Sequence, residues 1–216
     1  MKISLCTWVL SICFSMLVKA ESGSAQFWLV NSVSQKLDYS LLLSLETENR
    51  FYAEGSFHRR YELRPLITWQ YSPRYDFTIG YQNSATDSNQ ADLEMGHQCI
   101  LANTIKWDFA DYRLTSRQQL QLGEESADTV LLSRHRLLLS WMNDHLPLRL
   151  KPFIANEWFF DLENGDLREN RFWGGVRYKI NNSLDIALFG MRRDQWNRLD
   201  QHTTSPVTGL TLNIKF

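Results

Sequence analysis

From Tyr39 to Phe51 the chain reads Tyr-Ser-Leu-Leu-Leu-Ser-Leu-Glu-Thr-Glu-Asn-Arg-Phe. Taken two apart, one set is Tyr39, Leu41, Leu43, Leu45, Thr47, Asn49 and Phe51, and the other is Ser40, Leu42, Ser44, Glu46, Glu48 and Arg50. Successive side chains of a strand point to opposite faces, so this stretch predicts a β-strand with one greasy face and one charged face. The same period recurs along the chain. Tyr61, Leu63, Pro65, Ile67, Trp69 and Tyr71 oppose Glu62, Arg64, Leu66, Thr68 and Gln70, and Tyr75, Phe77, Ile79 and Tyr81 oppose Asp76, Thr78, Gly80 and Gln82. Further on, Arg113 and Arg117 alternate with Tyr112 and Leu114, Arg134 and Arg136 with His135 and Leu137, and Arg177 and Lys179 with Val176, Tyr178 and Ile180. The chain ends on Leu210, Leu212, Ile214 and Phe216 set against Thr211, Asn213 and Lys215.

Alternation alone also suits a soluble β-sandwich. A last strand that is apolar at every second place and finishes on Phe216 resembles instead the signal by which the assembly machinery of bacterial outer membranes recognises its barrels. The connections alternate too. Short turn-like links at 35–38, 72–74, Asp108, 143–145 and 181–183 are interleaved with long polar ones around 53–58, 83–91, 123–128, 161–170 and 194–205, as short periplasmic turns alternate with longer extracellular loops. Trp69, Tyr71, Tyr75, Trp107, Phe109, Trp141, Trp158, Phe159 and Phe160 fall near strand ends, where interfacial aromatic girdles lie. About eleven segments of near the ~9–11 residues that a tilted spanning strand needs predict an all-β fold, a single antiparallel transmembrane β-barrel of about 10–12 strands. An odd count raises a closure problem. The first segment, 26–33, and the last would run the same way, so closure needs a parallel pair, a further strand, or a ten-strand barrel with the first segment outside it.

Bulk properties agree with an exported barrel. Residues 1–20 carry Lys2, an apolar stretch from Ile3 to Val18, and Val18-Lys19-Ala20 before a polar Glu21-Ser22, the pattern of a cleaved secretory signal. The expected organisation is therefore a signal peptide over 1–20 and an outer-membrane β-barrel over 21–216 of a Gram-negative bacterium. Cys6 and Cys13 leave with the signal, and Cys99 alone cannot form an internal disulfide. The mean hydropathy of −0.35 does not argue against a membrane, because barrel strands average a lipid-facing with a lumen-facing side. A net charge of −1 without a Lys/Arg-rich run excludes a strong nucleic-acid bias, and no nucleic-acid partner is expected. Lipid and lipopolysaccharide are the expected surroundings, with the assembly machinery engaged through Phe216.

The arrangement of Trp28, of Glu46, Glu48, Arg50 and Phe51, of Gly80-Tyr81, of the run from Lys151 through Pro152, Asn156 and Glu157 to Phe160, and of Arg171-Phe172 through Val176-Arg177-Tyr178 resembles the uncharacterised bacterial family catalogued as domain of unknown function 2490. The likeness spans nearly the whole mature chain. It implies an outer-membrane barrel and supplies no activity.

The inward set is rich in charge: Glu46, Glu48, Arg50, Glu62, Arg64, Arg113, Arg117, Arg134, Arg136, Lys151, Glu157 and Arg177, with Asp76, Glu94, Lys106 and Lys179. Such a lumen is either filled by mutually paired side chains, as a barrel of few strands allows, or holds a narrow aqueous pore or a small polar ligand. The expected role is structural, envelope-maintaining or that of a narrow pore, without catalysis. Two rivals are a soluble periplasmic β-sandwich that binds a ligand and an outer-membrane lipid esterase. The esterase reading rests on Ser133 and His135 on the outward face of one strand, with Asn156 expected roughly opposite Ser133, where an imidazole-activated hydroxyl could attack an acyl ester. His58, His97, His145 and His202 lack metal-ligand spacing. No metal or cofactor is expected, since the chain carries no phosphate loop and no Cys-x-x-Cys.

Overall fold

The computed structural model describes residues 25–52, 59–87, 93–125, 128–142, 150–196 and 201–216. The expected signal peptide, the loop at 53–58, the link at 143–145 and the histidines His58 and His145 lie outside the described residues. The described residues form eleven strands: β1 (Gln26–Lys36), β2 (Leu41–Tyr52), β3 (Arg59–Ser72), β4 (Tyr75–Asp87), β5 (Leu93–Phe109), β6 (Tyr112–Glu125), β7 (Asp128–Trp141), β8 (Leu150–Asp161), β9 (Asp166–Lys179), β10 (Leu184–Trp196) and β11 (His202–Lys215).

Each strand pairs antiparallel with its neighbour in sequence, and β1 closes the sheet against β11. That seam is parallel and runs from Gln26 beside Val207 to Ser34 beside Lys215. It is finished by the Phe216 amide, which donates to the Ser34 carbonyl at 2.9 Å. The closure problem posed by the odd count is thus solved by the parallel pair, and β1 belongs to the barrel. Closure leaves no unpaired sheet edge. One closed sheet replaces the two packed sheets that a sandwich would require.

The greasy and charged sets separate as the alternation requires. Leu45, Ile67, Ile79 and Leu188 are 44–57% exposed on the outside, whereas Glu48, Arg50, Glu62, Gln98 and Gln121 are 3–6% exposed within. Trp69, Tyr71, Tyr75, Trp107 and Phe109 are exposed on the outer surface near the short-turn end. Phe159 departs from the expected girdle: it is buried and points into the lumen. Inside, Trp28, Phe153, Ala187, Phe189, Met191 and Val207 form an apolar cluster along one wall, on β1, β8, β10 and β11.

The connections differ from expectation at several places. The polar stretches 123–128 and 161–170 are mostly strand, because β6 runs to Glu125 and β7 starts at Asp128, while β8 and β9 are joined by 162–165 alone. In that turn Gly165 adopts φ 77°, a conformation open to glycine at little steric cost. Strands of 11 to 17 residues outreach the ~9–11 that span an apolar layer. Their ends project beyond it, where both faces can be polar, so polarity there no longer signals a loop. The β5–β6 turn falls at Ala110-Asp111 with Ala110 at φ 49°, two residues past Asp108. The turn at 181–183 is side-chain capped: Asn181 Oδ1 accepts from the Ser183 and Leu184 amides, each at 2.8 Å.

Candidate functional site

Among the described residues, chemistry-bearing side chains from most of the strands converge in the lumen. Period two puts Glu46, Glu48 and Arg50 of β2 and Arg60, Glu62 and Arg64 of β3 on the inner face. The register sets Glu46 opposite Arg64, Glu48 opposite Glu62 and Arg50 opposite Arg60. Like charges directly opposite repel, and the side chains resolve this by reaching diagonally. Arg50 Nε donates to Glu48 at 2.6 Å and its Nη2 to Glu62 at 2.8 Å. Arg64 Nη2 donates to Glu48 at 2.7 Å and to Glu62 at 2.5 Å. Arg60 extends the network, bonding Glu62 at 2.9 Å and Glu125 of β6 at 2.7 Å.

A second cluster lies across the lumen. Arg134 grips Glu157 with two bonds of 2.6 and 3.0 Å, Arg193 grips Glu169 with two of 2.8 and 3.0 Å, and Arg171 bonds Glu169 and approaches Glu157 at 3.7 Å. Aromatic rings join the clusters. Trp28 lies under Arg50 at 4.3 Å, Arg171 at 4.9 Å and Arg193 at 5.7 Å, and Phe159 under Arg171 at 4.3 Å and Arg134 at 4.9 Å. Cation–π contact is strongest where water is excluded, and Trp28 is 2% exposed. Its indole N–H donates to Gln26 at 2.9 Å. Buried charges are tolerated only when paired and hydrogen-bonded; every charged group of this layer has an opposite partner, and the Arg64 Nε alone in it is left without a hydrogen bond among the described residues.

The layer divides the interior. On one side lies a cavity of about 260 Å³ bordered by Glu46, Arg117, Arg136 and Trp173; on the other a smaller one of about 170 Å³ bordered by Arg60, Gln98 and Arg168. Arg134 and Arg171 form part of both walls. The smaller cavity shares Glu125, Arg168 and Gln195 with a vestibule of about 510 Å³.

Of the residues expected in the lumen, Glu46, Glu48, Arg50, Glu62, Arg64, Arg117, Arg134, Arg136, Glu157 and Arg177 line these cavities. Arg113 does not join them; it pairs with Asp108 at 2.6 Å near the short-turn end. Lys151 Nζ donates at 3.4 Å to the Met142 carbonyl at the barrel margin. Sequence reading missed Glu169, Arg171 and Arg193. Glu169 falls in a stretch read as loop, and Arg193 adjoins another. The i, i+2 spacing of Glu169, Arg171 and Trp173 on β9, and of Phe189, Met191 and Arg193 on β10, was the available signal.

Ser133 Oγ and His135 Nε2 are 2.8 Å apart. Asn156 does not complete that pair: it is registered with Leu137, whereas Ser133 is registered with Phe160. The Asn156 side-chain Oδ1 instead accepts from the Asn170 side-chain amide and from the Glu157 backbone amide, both at 2.9 Å. His97 Nδ1 lies 2.6 Å from Asn83, and His202 lies 3.2 Å from Asp194.

An inside-out polarity and an ion-paired interior define a closed eleven-strand β-barrel with a charged, partitioned lumen. The chain matches the family described as Protein of unknown function (DUF2490) over residues 25–204, and it belongs to that family. No curated protein matches it.

Proposed function

We propose that the protein is an integral outer-membrane barrel whose lumen is closed to through-flow by the Arg50–Glu62–Trp28–Arg171 layer. In this reading it serves the envelope as a sealed barrel, without catalysis. The observation that carries the reading is the polarity: exposed leucine, isoleucine and aromatic side chains cover the outside, while most of the buried polar and charged groups lie within. Soluble monomers rarely expose apolar patches beyond a few hundred Å², and lipid is the solvent that suits such a belt. Lipid and lipopolysaccharide surround it, residues 1–20 direct export, and Phe216 is presented to the assembly machinery.

The test has two arms. Membranes from producing bacteria are washed with alkaline carbonate and urea; the protein stays with the membrane pellet, and its release into the wash would overturn the membrane reading. The refolded protein, shown to be folded by faster migration when unboiled, is then placed in a planar bilayer. It gives no steady conductance steps, and regular steps would overturn the closed lumen.

A further inference from the structure

The cavity of about 260 Å³ carries an unbalanced charge. Six arginines line it against three glutamates, Glu46, Glu48 and Glu157. All three carboxylates are already engaged: Glu48 with Arg50 and Arg64, Glu157 with Arg134 and Arg171, and Glu46 with Arg64 at 3.5 Å. Arg117 and Arg136 are left over. They stand directly opposite one another on β6 and β7, no carboxylate pairs with either, and the buried Nε of each lacks a hydrogen-bond partner among the described residues. The Nε of Arg177 is in the same state. Its nearest carboxylate is Asp185 at 3.9 Å, which is held more closely by Asn213 and Lys215.

Two guanidinium groups side by side repel, and buried unpaired donors are costly. Both penalties vanish when an anion enters, because the guanidinium fork matches carboxylate or phosphate oxygens two at a time. The rest of the lining is different in kind: Leu138 lies two residues from Arg136 on β7, and Trp173 is on β9. Leu138 and Trp173 pack against the apolar cluster of Trp28, Phe153 and Phe189, and both also border this cavity. The volume is below the ~300–1,000 Å³ of pockets for drug-sized ligands, so the occupant is small. Arg177, its side chain 42% exposed, marks the mouth.

We propose that this cavity is a binding site for a small amphiphilic organic anion, its carboxylate or phosphate head held by Arg117 and Arg136 and its apolar body lying against Trp173 and Leu138. The site goes beyond the envelope role proposed above and depends only on the folded barrel.

The probes are phenyl phosphate, benzoate and inorganic phosphate, titrated into the full refolded barrel in detergent by calorimetry and by tryptophan fluorescence. One-to-one saturable binding of phenyl phosphate or benzoate is expected, weakened roughly tenfold or more by Arg117→Gln and by Arg136→Gln, since each removes charge-assisted bonds. Tighter binding of phenyl phosphate assigns a phosphate head, and tighter binding of benzoate a carboxylate. The fluorescence response is expected to shrink in Trp173→Phe while the calorimetric signal persists. Both arginine replacements relieve repulsion, so the variants fold at least as well as the parent, as the unboiled gel checks. Absence of saturable binding by both organic anions to a folded barrel overturns the proposal, as does unchanged affinity in both arginine variants. Inorganic phosphate binding as tightly as phenyl phosphate overturns the apolar half of the site.

Discussion

Glu48 and Glu62 stand directly opposite each other across the β2–β3 ladder and are held there by Arg50 and Arg64, each of which bonds both carboxylates. The four side chains form a closed square of alternating charge, 4–9% exposed. A square of this kind is cooperative in one respect: removing a corner strands the others in a poorly hydrated interior.

Arg64→Ala is therefore expected to destabilise the barrel by about 3–5 kcal/mol, the usual result of breaking one half of a buried pair. Replacing all four corners by leucine and methionine should cost less than that single change. Equilibrium urea unfolding of the parent, the single variant and the quadruple variant decides it; additive losses would show that the corners act independently.

Trp28 plugs as well as binds, since it fills the space between the two charged clusters. Trp28→Ala should join the cavities on either side of the layer and give small conductance steps in a planar bilayer where the parent is silent. A silent but folded variant would move the barrier to the arginine–glutamate pairs alone.

Gly209 sits in register between Trp28 of β1 and Phe189 of β10. A Cβ built there comes within 2.1 Å of the Phe189 ring, so the glycine is what lets the ring lie across β11. Gly209→Ala must push Phe189 off the seam, and overpacking of that kind costs about 1–3 kcal/mol. Phe189→Leu should restore part of the loss in the same unfolding measurement.

The parallel seam predicts a cross-link. In a Cys99→Ser background, Leu29→Cys and Leu210→Cys are register partners and should oxidise to an intramolecular disulfide. Moving the second cysteine to Lys215 should abolish it. Cross-linking that ignores register would mean that β1 is not fixed in the barrel.

Ser133 and His135 share a hydrogen bond, yet Asn156 is engaged with Asn170 and a backbone amide. The refolded protein is expected to release no more fatty acid from phospholipid vesicles than Ser133→Ala does. Hydrolysis lost on that replacement would restore the esterase reading.

The inner and outer faces were legible in the sequence because alternation is a local property: the face of Leu43 or Glu48 follows from its neighbours. Strand lengths were less legible. The polar ends of β6, β8 and β9 look like loops to any reading that equates strand with apolar periodicity, and this hid Glu169. Aromatic character at a strand end fits both faces equally well, so it does not tell a girdle position from an inward one at Phe159; the parity fixed by Glu157 two residues earlier turns the ring inward. The partnering of charges was out of reach for another reason. Which arginine meets which glutamate depends on registers and on diagonal reach across the lumen, and the two arginines left unpaired emerge only when every carboxylate has been assigned.

The seam has a consequence for the two ends of the chain. When the first and last strands run in the same direction, the start of one and the finish of the other emerge at opposite rims. Phe216 is knitted to the end of β1, a full strand length from Gln26. Once such a barrel crosses a bilayer, a label attached ahead of β1 and a label attached at the C-terminus report from different compartments. A barrel with an even number of strands would show both to the same side.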